Sequence, residues 1–171
     1  FGTQRDVYGE GYEWINHSMV PVSPREASPR VSIGEGRCAK PYSASIFNVS
    51  AMSFGALSGK AIESLNKGAA EGGFAHNTGE GGISPYHLHG GDLIWQIGTG
   101  YFGCRNEQGG FDSDAFAECA KLDAVKMIEI KISQGAKPGH GGILPQAKIT
   151  PEVAAIRGVG MDADVISPPA H

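Results

Sequence analysis

Residues 131–142 read Lys131-Ile-Ser-Gln134-Gly-Ala-Lys137-Pro138-Gly139-His140-Gly141-Gly142, and they follow directly on the β-like run Val125–Ile130. Glycines let a backbone turn sharply and come close to a flat or anionic ligand. Lysine adds a mobile point charge suited to a substrate carboxylate or to a cofactor that turns anionic on reduction. A strand ending in such a loop is where α/β proteins usually carry their chemistry. The segment has neither a Walker lysine-serine pair nor a GxGxxG entry into a helix, so spacing alone does not separate a ligand loop from a Gly-rich connector.

Three further loops have the same character: Ala51-Met52-Ser53, Asn77-Thr-Gly-Glu80-Gly-Gly82 and Gln96-Ile-Gly-Thr-Gly100. An isoalloxazine ring needs an apolar surface under one face and amide-like groups along its pyrimidine edge. It also needs a cation where negative charge collects on reduction. Asn77 and Gln96 offer amides, Lys131 the cation, and Ala51-Met52 the apolar contact. The set fits a flavin better than a metal or a nicotinamide. Each residue also has a plainer role. Asn77 and Thr78 suit a turn, Gln96 suits a strand backbone, and Lys131 suits an ion pair with Glu129 or Glu80. His76, His87 and His89 have no third ligand at a recognisable metal spacing, and no G-x-S-x-G elbow is present.

The elements that would hold these loops can be read from periodicity and caps. A short buried strand is expected over 45–49, and a helix begins at the N-cap Ser58 with Ile62, Leu65 and Ala69 on one face. Gly72-Gly73 ends that helix. Strands are expected over 74–77, Leu93–Ile97 and Val125–Ile130. Between the last two, Asp112 caps a helix carrying Ala115, Phe116, Cys119 and Leu122 on a stripe. Thr150-Pro151-Glu152 starts a third helix, and Val165-Ile166 opens a fifth strand. Alternation of this kind predicts a parallel sheet with crossover helices, about half of a (β/α)8 barrel or an open doubly wound sheet, since a whole barrel needs roughly 200 or more residues. Residues 1–43, with Pro21, Pro24 and Pro29, are expected to form an irregular segment draped over the core.

The chain has 171 residues, 40% hydrophobic and 19% charged, which suits one globular domain. Its 26 glycines are about twice the usual ~7% share and gather at the ends of apolar runs. A net charge of −4 without a basic cluster excludes nucleic acid as the expected partner. No apolar run approaches the ~20 residues of a membrane span. Cys38, Cys104 and Cys119 lack C-x-x-C spacing and read as reduced thiols of a cytoplasmic protein. The chain begins Phe-Gly-Thr and stops just after a β-like run, so it is expected to be an internal piece of a longer protein.

Taken together, these residues resemble the FMN-binding synthase domain of the glutamate synthase family, and most closely its short branch without a fused glutaminase. The motifs are Ala51-Met-Ser-Phe-Gly55, Asn77-Thr-Gly-Glu-Gly-Gly82, Gln96 with Gly100-Tyr-Phe-Gly103, Glu129-Ile-Lys131, Gln134-Gly-Ala-Lys-Pro-Gly139 and Ile166-Ser-Pro-Pro169. They run in family order over residues 44–171, and residues 1–43 resemble the short branch only. The resemblance implies an FMN-binding TIM (β/α)8 barrel, here its first half. It implies reductive amination of a 2-oxo acid, 2-oxoglutarate to L-glutamate, by hydride transfer from reduced FMN, a reaction of glutamate biosynthesis and nitrogen metabolism.

By resemblance Ala51, Met52, Ser53, Asn77, Gln96 and Lys131 line the flavin. Lys137, Arg157 and Glu80 face the keto acid, with Lys137 polarising its oxygen as the catalytic group. Two fixed cations suit a dicarboxylate, and arginine can grip one carboxylate with two bonds. A helix C-terminal charge is the plainer role for Arg157. The implied partners are ammonia or an amine, an electron-donor subunit or ferredoxin, and an ammonia-supplying glutaminase. An iron–sulfur cluster in the full-length protein would take ligands outside this chain, since the three cysteines do not match the family's. Ile143 stands where glutamate synthases carry glutamine, and His140 replaces an acidic residue. A flavin-dependent dehydrogenase of an amino acid or N-alkyl amino acid is therefore the alternative enzyme, and a non-catalytic barrel scaffold the alternative of another class. The 171-residue piece alone is expected to bind FMN poorly.

Overall fold

The computed structural model describes residues 6–21, 23, 28–135 and 141–171. Its centre is a parallel sheet of β3 (His76–Asn77), β4 (Leu93–Ile97) and β5 (Val125–Ile130), in that spatial order. Val49 adds a single parallel bridge to His76 on the outer side of β3. Strand order follows chain order, and parallel pairing requires a crossover between successive strands.

The first crossover is α1 (Gly59–Gly72). The Ser58 hydroxyl accepts from the Ala61 amide, and Gly73 closes the other end at φ 66°, a left-handed turn that favours glycine. Ile62, Asn66 and Ala69 form the buried stripe. Asn66 is the surprise there. Its Oδ1 accepts from the His89 and Gly91 amides at 2.8 and 3.1 Å, so this polar residue satisfies the turn before β4. Leu65, expected on that face, is only half-buried.

The connection from β3 to β4 carries only the short helical turn Pro85–His87, and the crossover from β4 to β5 is α2 (Ser113–Ala120), capped by Asp112. Ala115, Phe116 and Cys119 pack on the core of Trp95, Ile97 and Cys104, with Phe116 stacked on Trp95 at 5.6 Å. Leu122 lies beyond the helix and is exposed. A second core joins Phe102, Leu144, Ile149, Val153 and Val165. Val153 belongs to α3 (Pro151–Arg157), where Thr150 caps the start and Gly158 the end.

Four expectations are corrected. The strand over 45–49 shrinks to the Val49 bridge, because the Asn48 side chain takes the ladder position by accepting from the Ala75 amide at 2.9 Å. Instead β1 (Arg30–Ile33) and β2 (Tyr42–Ser45) pair antiparallel, so the N-terminal segment is without helix or strand only up to residue 29 among the described residues. The strand over 74–77 begins only at His76, since the Phe74 amide still closes the end of α1 on Ala69 O at 3.1 Å.

The fifth strand, β7 (Val165–Ser167), does not join the parallel sheet. It pairs antiparallel with β6 (Gly142–Leu144), which begins at the last residue of the Gly-rich segment. The chain then runs back along residues 132–134, with Gln134 N on Pro169 O at 2.9 Å and an antiparallel Ser133–Ala170 bridge. The fold among the described residues is thus a mixed α/β arrangement with a short parallel sheet and two antiparallel ribbons. β5 is the open edge of that sheet, with Ile130 65% exposed.

Candidate active site

The carboxyl ends of β3, β4 and β5 come together around one carboxylate. In the β4–β5 register Gln96 lies beside Glu129. Asn77 Nδ2 donates to Glu129 Oε1 at 3.0 Å, and Gln96 Nε2 donates to the same oxygen. Asn77 Oδ1 in turn accepts from the Gly79 amide at 3.0 Å, which fixes the turn after β3. Both amides are buried, 5% and 6% exposed, whereas Glu129 is exposed.

Two residues beyond Glu129, and so on the same face of the extended chain, Lys131 Nζ lies 3.1 Å from Glu80 Oε1 and 2.9 Å from Gln134 Oε1. Gln134 Nε2 donates to Glu80 Oε2 at 2.8 Å and to Thr99 Oγ1 at 3.2 Å. Of the two acids open to Lys131, Glu80 is the one it pairs with. This network floors a cleft of about 210 Å³ that Ser53, Arg157 and the β6–β7 ribbon also line.

Arg157 enters the cleft from the last turn of α3. It is 6% exposed, its Nη2 donates to Phe54 O at 3.1 Å, and its guanidinium lies over the Phe102 ring at 5.2 Å. Burial pushes the guanidinium below its ordinary value, while the charge of Glu80 opposes the shift. Arginine stays protonated throughout the working range. Its buried Nε has no partner among the described residues. A charge buried with a free donor is costly unless something supplies an acceptor. Arg157 does stand at the helix C-terminal end, as its plainer role has it, but it is buried there.

The Ala51-Met52-Ser53 loop lies against this cluster. Met52 N donates to Asn77 O at 3.1 Å, and His87 Nε2 lies 3.0 Å from Met52 O. Since His87 Nδ1 accepts from the Ser84 amide at 3.1 Å, Nε2 carries the hydrogen that Met52 O receives. Gly79 makes the close approach feasible: a Cβ there would meet Ser53 N at 2.8 Å. Ala51 is exposed, and Met52 and Ser53 are half-buried.

Residues 19–171 match the model of the conserved region in glutamate synthase. The chain is 45% identical over 139 residues to the glutamate synthase large subunit-like protein YerD of Bacillus subtilis, covering 80% of this chain and 26% of that protein. Identity to the archaeal glutamate synthase [NADPH] of Archaeoglobus fulgidus is 41% over 125 residues, 71% of this chain and 22% of the other. The chain belongs to the glutamate synthase family. It spans about a quarter of the length of these relatives.

Several of the residues named by the motifs lie near one another, with additions. Asn77, Gln96, Lys131, Glu80, Ser53 and Arg157 share the region just described. Lys137, expected to polarise the keto oxygen, lies outside the described residues, as does His140. Sequence reasoning assigned no role to Gln134 or Thr99 and saw Glu129 only as an ion-pair partner for Lys131. The two-residue period back from Lys131 to Glu129 was the available signal. Ile143 sits at the cleft rim, 63% exposed and opposite Ile166. Its neighbour Gly142 is the residue turned to the network, since a Cβ there would lie 3.1 Å from Gln134 Oε1.

Cys104 is buried beside Trp95, which pushes its thiol up to about 11, and Cys119 bonds to Gly103 O. Among the described residues no three His, Cys, Asp or Glu side chains gather as a metal site, and no helix is long and apolar enough to cross a membrane.

Proposed function

We propose that the full-length protein is an FMN-dependent glutamate synthase-type oxidoreductase that reductively aminates a 2-oxo acid, with 2-oxoglutarate and ammonia as the first substrates to try. The observation that carries this is the convergence of Asn77, Gln96, Glu129 and Lys131 at the carboxyl ends of three adjacent parallel strands. That is the rim on which (β/α)8 barrels bind cofactors, and in this reading the sheet is the early part of such a barrel.

The donor set fits the cofactor. Ala51 and Met52 would lie under the ring, Ser53 and Gln96 along its edge, and Lys131 near the position where charge collects. Bound FMN supplies the hydride that converts an imine to an amine. The chain's own residues orient the acid. Arg157, buried and with Nε unpartnered among the described residues, would take a carboxylate with paired donors. Glu80 holds Lys131 at 3.1 Å and keeps that ammonium from drifting toward the same carboxylate. The substrate role of Lys137 is part of the same proposal. The electron donor, a ferredoxin or partner subunit, and a glutaminase supplying ammonia would act on the full-length protein.

One observation favours a second substrate reading. Because Glu80 pairs with Lys131, Arg157 is the cation of the cleft without an ion-pair partner among the described residues. With exposed Ile143 at the rim, a monocarboxylate with a less polar side chain is accommodated. The enzyme would then be a dehydrogenase of an amino acid or N-alkyl amino acid.

Absorption spectroscopy of the purified full-length protein tests the main reading. Stoichiometric FMN, with reduced flavin reoxidised by 2-oxoglutarate plus ammonia, is expected. Anaerobic bleaching by apolar or N-alkyl amino acids alone would favour the second reading. A colourless protein that takes up no FMN would refute both.

A further inference from the structure

Glu129 is the exposed member of the Asn77–Gln96–Glu129 cluster, and the two amides that lean on it are buried. A carboxylate accepts only, so both carboxamides must turn their NH2 groups toward it. For Asn77 both ends of the carboxamide are engaged, because Oδ1 already accepts from Gly79. Gln96 differs. With Nε2 on Glu129 and its backbone amide on Thr78 Oγ1 at 3.1 Å, its Oε1 has no bond among the described residues. That oxygen is not sealed in the interior either, since the buried atoms without partners are His76 Nε2, Trp95 Nε1 and Arg157 Nε.

We infer that Glu129 is a positioning residue: by holding the Gln96 NH2 group it fixes the Gln96 Oε1 as an acceptor toward the ligand, so this place in the site selects an N–H of the bound ring. The alternative amide orientation would set Oε1 of Gln96 against a carboxylate oxygen, two acceptors in contact with no hydrogen between them. Glutamine alone is indifferent, since the two ends of a carboxamide have the same shape. A nearby carboxylate removes that indifference. The inference rests on the flavin reading, in which the pyrimidine ring brings such an N–H between two carbonyls. The fixed negative charge also disfavours adding negative charge to the ring, an effect that Lys131 counteracts one turn of the pleat away.

The test uses the full-length holoprotein and a double-mutant cycle of Gln96→Ala and Glu129→Ala, reading FMN dissociation constants by fluorescence quenching. Glu129→Ala alone is expected to weaken FMN about tenfold, the size of a lost charged hydrogen-bond contact. Added to Gln96→Ala it should weaken binding no further, because Glu129 acts through Gln96. Equal, fully additive losses would overturn the inference. Glu129→Gln tests the charge. It keeps the shape and should make the flavin midpoint potential more positive, and an unchanged potential together with unchanged affinity would also overturn it. Circular dichroism of each variant guards against misfolding, and Glu129→Gln is the variant that conserves packing if the alanine chain does not fold. A wild-type protein that binds no FMN would instead strike the flavin reading on which the inference rests.

Discussion

His76 and Asn77 are neighbours on the two-residue strand β3, yet they point to opposite sides of the sheet and into different kinds of polar surroundings. His76 faces α1, where Asn66 Nδ2 lies 3.4 Å from its Nδ1 and the His87 ring stands 5.3 Å away. Asn66, His76, Ser84 and His87 are all buried there, and Asn66 and His87 bond to the Ser84 amide, the Met52 carbonyl and the turn at 89–91. Asn77 faces the cluster of Glu129, Gln96, Glu80 and Lys131, where charged groups remain half-open. The contrast teaches how to divide buried polar residues. Behind the sheet, Asn66 and His87 close on the backbone and set its shape, while the buried His76 Nε2 is left without a partner among the described residues. Those in front leave donors and acceptors over, and leftover groups are what a ligand can use.

The sharpest test of that division is Arg157. Arg157→Met keeps much of the packing against Phe102 but removes the charge, and kcat/KM for the oxo acid should fall about 10²–10³-fold, as for a desolvated charge pair that loses one partner. Flavin content should not change. A variant with unaltered steady-state kinetics would move Arg157 to the structural side of the comparison.

His87→Ala probes the other side. It leaves the Met52 carbonyl and Ser84 amide without partners, so denaturant unfolding should report about 2–4 kcal/mol of lost stability. If stability held but FMN affinity alone collapsed, the back cluster would be functional after all.

The imidazoles behind the sheet also give a pH signature. Burial pulls His76 down to about 4, with the neighbouring His87 adding to the shift, and burial lowers His87 too. Below the ordinary value of 6.5 the unfolded chain binds protons that folded His76 refuses until about pH 4. Stability therefore falls as pH drops through that window and levels off beneath it. Tm measured from pH 7 to pH 4 should show the decline, and His76→Gln should flatten it. The smallest effect is expected at Thr150→Ala, which removes an N-cap that does not itself line the cleft. About 1 kcal/mol of stability should go, with flavin affinity intact.

What the sequence disclosed was mainly local. Ser58, Asp112 and Thr150 cap their helices through bonds to residues two or three positions away, and Gly73 ends α1 by its own φ. The limits of β4 and β5 follow from apolar runs bounded by Gly and polar residues. Partner choice is different in kind. That β7 turns to β6 and not to the parallel sheet, or that Lys131 selects Glu80 over Glu129, depends on register and crossover geometry that no short window contains. Asn66 hid in an apolar stripe because the two amides it serves lie 23 and 25 residues further on. The family motifs brought Asn77, Gln96 and Lys131 together on paper. The shared carboxylate of Glu129 became visible only with the β4–β5 register.

Lys131 carries the flavin reading most directly, because its ammonium is the cation assigned to the reduced ring. FMN titration of the full-length protein, run side by side on wild type, Lys131→Met and Thr150→Ala, measures it. One FMN per chain is expected for all three, with affinity about tenfold or more weaker for Lys131→Met and unchanged for Thr150→Ala. Equal affinities across the three proteins, or no saturable binding by wild type, would contradict the account.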